Sequence, residues 1–461
     1  MSGLLLILSS CVVQKKYYID SLKGNDTNSG TFRKPFKSVE QINAQKFKAG
    51  QSILLAGGQI YEGTIWFKDL NGTKKNPIAI GSYGKGRAVV NGGSSIAIHV
   101  ENCSWLQFKD LNLKGNGRLD GNKGSGIELR RTQNCSVDHV EVSGFLWSGV
   151  KAVGGGNLRI TNVYAHDNGF SGINVESDGQ DSGGLEGSGG KTFRNLYIAH
   201  CVAENNPGCP EVKENHSGNG ILIGGVTNGT IEYCEAMNNG WDMPREGNGP
   251  VGIWAYQSDR VIIQYCYAHD NKTSAKGKDG GGFDFDGGMT NSVMQNNFSA
   301  NNEGAGYGLF QYYGASVWKN NLVRNNISYN DGRKNGEAGF LMWISDGSPE
   351  SISNCKIENN IVVNKYGHAV NFEPGNYPGF NFRNNILLLT EKSVSFVNGN
   401  YSGAVFSGNL AWAADKTKPM NFPEDTEANL SDPGLVLPAS DNDLPDNGFE
   451  VQMMKYFKTD K

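Results

Sequence analysis

The chain contains the stretch Gly280-Gly281-Gly282-Phe283-Asp284-Phe285-Asp286-Gly287-Gly288, in which phenylalanine and aspartate alternate. Side chains on a β-strand point alternately to opposite faces, so the two phenylalanines share one face and the two aspartates share the other. Phenylalanine is readily buried, whereas an unpaired carboxylate is costly to remove from water. The pattern predicts a strand with Phe283 and Phe285 in a core and with Asp284 and Asp286 facing water or a polar ligand.

Short strands of the same type recur along the chain, each opening on small residues and continuing with alternating apolar side chains. The other copies begin at Ser125, Ser148, Ser171, Asn219, Val251, Tyr307, Ala338 and His368. The first three copies are spaced 23 residues apart. A repeat of this length, built from short strands and Gly/Asn turns, predicts a solenoid.

A second strand in each repeat ends at an asparagine or cysteine. These residues are Asn162, Cys201, Cys234, Cys266, Asn297, Asn326, Asn360 and Asn385. Asparagine amides stacked at one turn can hydrogen-bond along a ladder, and cysteine replaces them as a small side chain that tolerates burial. Helical repeats are disfavoured because the 63 Gly residues would weaken helix interiors. The pattern therefore predicts a parallel β-helix.

The region that precedes the repeats contains a first strand near Tyr17, a Gly-Asn-Asp loop at 24–26 and a segment at 37–46 that we expect to form a capping helix. In this order these features resemble the entry region of the pectate-lyase-like superfamily. The resemblance covers 17–412 and implies an all-β fold, a single-stranded right-handed parallel β-helix with an N-terminal capping helix. The superfamily includes lyases, hydrolases, epimerases, phage tailspikes and adhesins, so the resemblance does not define one reaction.

The predicted organisation has three parts. Residues 1–16 form a lipoprotein signal and tether, 17–412 form the β-helix with loop insertions, and 413–461 form a C-terminal cap or tail. The run Leu4-Leu5-Leu6-Ile7-Leu8-Ser9-Ser10-Cys11 resembles a bacterial lipoprotein signal with cleavage before Cys11 and lipidation of that residue. It implies an exported protein held by lipid at the outer membrane, the cell surface or in the periplasm.

The composition limits the partners. The 42 basic and 46 acidic residues give a formal net charge of −4, which does not predict nucleic-acid binding. Apart from Cys209, which lies in a loop, the remaining cysteines are spaced as core residues rather than as a disulfide set. We expect a monomer whose only membrane contact is the lipid anchor.

The outward positions of the stacked strands define a candidate site. With neighbouring strands about 4.8 Å apart, Trp254 and Tyr256 would lie on one side of the Asp284 strand, and Phe310 and Tyr312 on the other. Further residues expected to bind a ligand in the same trough are Asn174, Glu176, Lys276, Trp343, His368 and Glu373. Exposed rings beside carboxylates suit a poly- or oligosaccharide, because rings stack on sugar faces and carboxylates bind hydroxyls.

The paired aspartates predict a glycoside hydrolase that needs no cofactor. Two residues on one side of a strand are about 6.6–7 Å apart at the backbone, near the lower end of the roughly 6.5–9.5 Å between the carboxylates of inverting glycosidases. We therefore assign Asp284 as the acid and Asp286 as the base, with Asp279 as a third catalytic candidate. The Asn-Thr-Asp and Gly-His-Gly motifs of the pectin-hydrolysing members are absent, so their assignments do not carry over.

Two other readings remain open. In a polysaccharide lyase acting on a uronic acid polymer by β-elimination, Asp279, Asp284 and Asp286 would bind Ca²⁺, which takes oxygen ligands. The base would then be Lys151, Lys276, Lys278 or His368. In the other reading the chain is a non-catalytic carbohydrate-binding or structural β-helix protein.

Overall fold

The structure is a computed structural model that describes residues 15–178, 193–335, 337–345 and 352–414. Cys11, nearly all of the predicted signal and nearly all of the predicted C-terminal cap lie outside these residues. The described chain contains one helix and 36 strands. No helix among the described residues is long and apolar enough to cross a membrane.

The helix and strands follow one another in short repeats. The helix is α1 (Val39–Asn43). The first strands are β1 (Lys16–Ile19), β2 (Ser52–Ala56), β3 (Ile60–Glu62), β4 (Ile65–Lys68), β5 (Ile78–Tyr83), β6 (Ala88–Gly93), β7 (Ile98–Glu101), β8 (Leu106–Gly115), β9 (Ile127–Gln133), β10 (Ser136–Ser143), β11 (Ser148–Thr161) and β12 (Tyr164–His166). The middle strands are β13 (Ser171–Glu176), β14 (Phe193–Ala199), β15 (Val202–Glu204), β16 (Asn219–Gly224), β17 (Val226–Glu232), β18 (Glu235–Met237), β19 (Val251–Tyr256), β20 (Asp259–Gln264), β21 (Tyr267–His269), β22 (Gly281–Phe285), β23 (Val293–Gln295) and β24 (Phe298–Ala300). The last strands are β25 (Tyr307–Gln311), β26 (Trp318–Lys319), β27 (Leu322–Arg324), β28 (Ile327–Tyr329), β29 (Ala338–Ile344), β30 (Ile352–Ser353), β31 (Cys355–Glu358), β32 (Ile361–Phe372), β33 (Phe380–Arg383), β34 (Ile386–Gly399), β35 (Val405–Ser407) and β36 (Leu410–Ala413).

The main strands pair in parallel with strands of the next repeat, which gives three long ladders around one core. The ladder that matters for function contains β4, β7, β9, the first part of β11, β13, β16, β19, β22, β25, β29 and the second parts of β32 and β34. We call it the groove sheet. The predicted all-β, single-stranded right-handed parallel β-helix is confirmed.

The core is filled by the inward residues of the three ladders. Phe283 and Phe285 are 1% and 0% exposed, as the alternation predicts. Phe283 stacks on Tyr307 at 5.3 Å, and Tyr307 stacks on Phe340 at 4.9 Å. The Tyr307 hydroxyl donates to buried carbonyl oxygens. A column of rings therefore runs through the core directly beneath the aspartates.

This column corrects the predicted register of β25. The large Tyr307 ring faces inward, so Gly308 rather than Phe310 pairs with Asp284 on the outer face. Phe310 pairs with Trp343 of the next strand, and Tyr312 lies beyond the end of β25. The alignment from sequence was shifted by two residues because Gly308 resembled the small residue that opens the other copies.

Stacked amides at two turns hold the repeats in register. At one turn, the predicted residues Asn297, Asn326, Asn360 and Asn385 each bond to the next, and Asn409 extends this ladder by one further repeat. Cys201, Cys234 and Cys266 fill the same slot in earlier repeats and are buried and free. Asn162 does not belong to this ladder: its φ of 53° makes it a turn residue, and buried Val163 follows it.

The second amide ladder was not recognised in the sequence. It runs through Asn168, Asn206, Asn239, Asn271 and Asn302 and ends at Asp331. Each amide nitrogen also donates to a carbonyl of the preceding turn, so these buried groups are satisfied. Burial raises the pKa of Asp331 to about 6.

The capping helix is present but shorter than the predicted 37–46. Ser38 caps it by accepting a hydrogen bond from the Gln41 N–H. Val39 and Ile42 are buried in the core. Asn43 bonds to the backbone of Thr64 and Trp66 at the start of the groove sheet, so the helix closes the N-terminal end of the core.

Candidate active site

Asp284 is the most unusual residue of the groove sheet. It points outward from the centre of β22, yet its side chain is only 3% exposed. Its Oδ1 atom is buried and has no hydrogen-bond partner among the described residues. Burial, followed by the charges of Asp286 and Asp279, raises the pKa of Asp284 well above its usual range. A raised pKa favours the protonated form of this carboxyl group, which is the form that a proton donor requires.

Gly308 makes room for this carboxyl group. A Cβ atom on Gly308 would lie 2.7 Å from the Phe310 ring and 3.3 Å from Asp284 Oδ1. Both distances are tighter than ordinary contacts, so a side chain here would displace the ring or the carboxyl group. The glycine that shifted the predicted register thus borders the candidate site.

Asp286 differs from Asp284 in its surroundings. It follows β22 directly and is partly exposed at the groove. Its Oδ1 atom accepts a hydrogen bond of 2.7 Å from the Gly287 N–H, which favours the charged form. Burial in the groove nevertheless dominates and raises the pKa of Asp286 to about 6. Both pKa values are raised, and the two aspartates differ in their contacts, because Asp286 Oδ1 accepts a backbone hydrogen bond and Asp284 Oδ1 has no partner among the described residues.

Asp279 is held by backbone groups beside this pair. Its Oδ2 atom accepts a hydrogen bond of 2.6 Å from the Gly249 N–H. Its own N–H donates to Glu337 Oε1 at 3.0 Å, and Glu337 Oε2 accepts from the Ala305 N–H at 2.6 Å. Burial raises the pKa of Asp279, and burial followed by the Asp279 charge raises that of Glu337 well above its usual range.

Next to Asp279 and Glu337 the groove deepens into a cavity of about 120 Å³. Phe310 and Trp343 form its apolar side and meet edge to face, with ring centroids 6.4 Å apart. Glu373 and Lys278 also line it. The structure therefore brings the predicted residues Asp279, Trp343 and Glu373 together in one place.

Glu337 was missed in the sequence. It directly precedes β29, whereas the alternation of side chains points only to residues within strands. Glu337 could have been found from its place in the repeat, because Glu337 and Asp279 both lie just before a strand of the groove sheet. Without the register, the two positions could not be seen as neighbours.

Trp254 does not present an open ring, contrary to expectation. It is 5% exposed and packs with Leu222 and Val251 on the outside of the groove sheet. Its indole N–H donates to Asn219 Oδ1 at 3.0 Å, and its ring meets His216 at 4.8 Å. The tryptophan therefore supports the wall of the groove and has no free face for a sugar.

Three other predicted residues lie on the N-terminal side of Asp286. Tyr256 folds over Gly224, and its hydroxyl lies 3.5 Å from Glu176 Oε1. Burial, followed by the Glu176 charge, raises the pKa of Tyr256 well above its usual range. Asn174 is 2% exposed, and its buried Oδ1 atom has no partner within the described chain.

Tyr312 lies near Asp286, because burial and then the Asp286 charge raise the pKa of Tyr312, whereas His368 and Lys276 have other partners. The Tyr312 hydroxyl accepts a hydrogen bond from Gln257 Nε2 at 3.0 Å, and its ring covers Gly287. The His368 Nδ1 atom lies 2.8 Å from Ser395 Oγ, and burial lowers the pKa of this histidine. Lys276 is exposed and forms an ion pair with Glu246 at 2.5 Å. Lys278, not Lys276, is the lysine that lines the cavity.

The calcium site of the lyase reading does not fit this geometry. Within the described ranges, no three His, Cys, Asp or Glu side chains are arranged to hold a metal ion. The charges of Asp286 and Asp279 contribute to the raised pKa of Asp284, but the three carboxyl groups do not form a set of this kind. We derive no step that uses a metal ion.

Comparison with known proteins identifies the family of this chain. Residues 87–332 match the family described as right handed beta helix region, and the chain belongs to that family. A search of curated protein sequences finds no match.

Several solved structures are similar in fold. A GH136 lacto-N-biosidase from Eubacterium ramulus has a TM-score of 0.60 at 16% identity, over 85% of this chain and 68% of that one. The A-module of the Azotobacter vinelandii mannuronan C-5 epimerase AlgE6 has a TM-score of 0.59 at 15% identity, over 81% and 94%. A mannuronic acid specific polysaccharide family 6 lyase from human gut microbiota has a TM-score of 0.57 at 13% identity, over 90% and 91%. At these identities the likeness shows a shared β-helix fold and does not define a reaction for this chain.

Proposed function

We propose that the protein is a glycoside hydrolase that binds a poly- or oligosaccharide along the groove sheet. The observation that carries this proposal is the pair formed by Asp284 in β22 and Asp286 directly after it. Asp284 is buried and its Oδ1 atom has no hydrogen-bond partner among the described residues, whereas Asp286 is partly exposed and accepts a backbone hydrogen bond that favours its charged form. Glycoside hydrolases use two carboxyl groups beside the scissile bond, and their different surroundings make one a proton donor and keep the other ionised. One of the fold neighbours, the lacto-N-biosidase, is a glycoside hydrolase by name.

In the proposed mechanism, Asp284 donates its proton to the glycosidic oxygen as the bond from that oxygen to the anomeric carbon breaks. Asp286 accepts a proton from a water molecule, whose oxygen bonds to the anomeric carbon. Each turnover consumes one water and leaves Asp284 ionised and Asp286 protonated, and exchange with solvent restores both. The buried surroundings of Asp284 keep its proton available near neutral pH.

A glycan panel tests the proposal. The full-length protein would be incubated with neutral and uronic acid glycans, with and without a calcium chelator. We expect new reducing ends that resist chelation and products that lack the ultraviolet absorbance of an unsaturated sugar. Chelator-sensitive release of absorbing products would instead establish a lyase, and no change in any glycan would leave a binding or structural protein.

Export and lipid anchoring belong to the same proposal and rest on the Leu-Ser-Ser-Cys sequence that ends at Cys11. A large glycan must meet its enzyme outside the cytoplasm, and one lipid chain alone binds membranes weakly, so lipoproteins carry more than one. Expressed in a bacterium, the protein should label with a palmitate analogue and sediment with membranes. The variant Cys11→Ala should lose both properties, and labelling that persists in this variant would contradict the assignment.

A further inference from the structure

The cavity beside Asp279 combines an apolar wall with a polar floor. Phe310 and Trp343 are neighbours in register on β25 and β29, and both rings are half-buried with part of their surface toward the groove. Opposite them lie the carboxyl groups of Asp279, Glu337 and Glu373. Rings that cover a C–H face, with acceptors placed for hydroxyl groups, form the usual surroundings of a pyranose.

The floor of this cavity is fixed in place. Glu337 binds the backbone of Asp279 and Ala305 through its two oxygens, and Asp279 in turn binds Gly249. The neighbouring loop is held by further bonds, from Asn335 Nδ2 to the Gly277 carbonyl and from the Thr273 N–H to Glu303. A ligand would therefore find the cavity already formed, and little ordering entropy would be lost on binding.

The charges of the cavity discriminate between sugars. Three carboxyl groups face one ammonium group, that of Lys278. The pKa values of Asp279 and Glu337 are already raised by burial and, for Glu337, by the neighbouring charges of Asp279 and Glu373, so this cavity disfavours additional negative charge. The carboxylate of a uronate would therefore be costly there unless it is paired. A neutral sugar brings only hydroxyl groups, for which carboxyl oxygens are good acceptors.

The cavity lies close to Asp284 in the groove sheet. Leu341, which lines it, pairs with Gly308, and Gly308 pairs with Asp284. Phe310 lies over Gly308, between Asp284 and the cavity. A sugar chain cleaved at Asp284 would thus place a neighbouring unit against Trp343.

We propose that this cavity is a subsite for one neutral pyranose unit, which stacks on Trp343 and Phe310, bonds to Glu373 and Asp279, and excludes uronic acids. The subsite rests on the proposed function, because it positions a glycan whose bond is broken at Asp284. It goes further in naming a neutral substrate and in assigning Glu337 as the residue that positions Asp279.

The test is equilibrium binding to the inactive Asp284→Asn protein, measured by calorimetry. The probes are neutral tetrasaccharides from glucans, xylans and galactans, with tetrameric mannuronate and galacturonate as the acidic set. We expect at least one neutral probe to bind and the acidic probes to bind at least about tenfold more weakly, a difference of about 1.4 kcal/mol. Adding Trp343→Ala should weaken neutral binding about tenfold or more, as the loss of a stacked ring does.

Two further variants keep this test decisive. Glu373→Gln removes a carboxylate without removing a ring and should weaken neutral binding while leaving thermal stability unchanged. Trp66→Ala is the matched control, because Trp66 is 51% exposed on the same sheet, nine strands from Trp343. That separation is roughly 40 Å at about 4.8 Å per strand, so Trp66→Ala should bind tetrasaccharides normally.

The outcomes separate the subsite from the function. Normal neutral binding in a folded Trp343→Ala protein, or tighter binding of uronates, would overturn the subsite while leaving hydrolysis at Asp284 intact. Tetrasaccharides that bind as expected but are not cleaved by the native protein would overturn the proposed hydrolase and leave the subsite. Absence of binding by every probe would overturn both.

Discussion

Asp284→Asn is expected to lower kcat for glycan hydrolysis by about 10²–10⁴-fold, the usual contribution of a general acid. Asparagine keeps the shape of the carboxyl group but cannot transfer a proton to the leaving oxygen. Asp284 forms no ion pair among the described residues and its Oδ1 atom has no hydrogen-bond partner there, so its replacement should leave the fold intact. Initial rates of reducing-end release, with circular dichroism of both proteins, measure this effect.

Asp331→Asn is the matched control for this substitution. Asp331 is also a fully buried aspartate with a raised pKa, but it ends an amide ladder between turns. A folded-state pKa of about 6 means that its stabilising contribution is complete below the unfolded value near 4 and is lost as the pH rises through 6. The control should therefore be active and at least as stable as the native protein at pH 7. Equal activity of Asp284→Asn and Asp331→Asn would place the chemistry elsewhere.

The pH dependence of the rate separates the two catalytic roles. Asp286 must be ionised to accept a proton, so activity should fall as the pH drops through about 6. Asp284 must be protonated, so activity should fall again as the pH rises through its higher pKa. The two limbs belong to the coupled pair rather than to single residues. In Asp286→Asn the acidic limb should disappear from the residual rate, and an unchanged acidic limb would contradict its role as the base.

The fold could be predicted from the sequence because each repeat contains the same short patterns of apolar and turn residues. Alternation placed Phe283 and Phe285 inside, and the step at Asn297 marked a turn where amides stack. Both signals are local and periodic, so twenty or so residues are enough to detect them. The ladder that ends at Asp331 was missed because its members follow turns of changing sequence, such as His-Asp-Asn and Asn-Asn.

The site was harder to predict because it depends on register between repeats of unequal length. Because Gly308 was aligned with the small residues that open the other strands, the predicted positions of Phe310 and Tyr312 were wrong by two residues. The pairing of Phe310 with Trp343 was therefore not predicted. Residues outside the strands also bury side chains of the outer face. The position of Trp254 on that face could be predicted, but its burial could not. Glu337 required both kinds of information, because only the three-dimensional path brings it to the Asp279 backbone.

Asn302→Ala is expected to cost about 3–5 kcal/mol of unfolding free energy, in the range of a broken buried network. The Asn302 Oδ1 atom accepts from the N–H and the side-chain amide of Asn271, both at 2.9 Å. Its Nδ2 atom donates to Asp331 Oδ1 at 2.8 Å and to the Ala268 carbonyl at 3.0 Å. Alanine would leave these groups buried without partners, at about 1–3 kcal/mol for each that water cannot reach. Urea denaturation at pH 7 measures the loss, with exposed Asn116→Ala as a control that should change little.

Asn302→Asp shows whether hydrogen bonding or shape sets this cost. Aspartate keeps the acceptor that Asn271 uses but, when ionised, has no donor for Asp331 or for the Ala268 carbonyl. A protonated aspartate can supply one donor, so this variant should be less destabilised at pH 5 than at pH 8. Its folded pKa would exceed the unfolded value, so the stability is lost as the pH rises. Two results would contradict this account: the same loss of unfolding free energy at both pH values in Asn302→Asp, or a loss below about 1 kcal/mol in Asn302→Ala. Either would mean that water satisfies the ladder's hydrogen bonds and that core packing alone keeps the repeats in register.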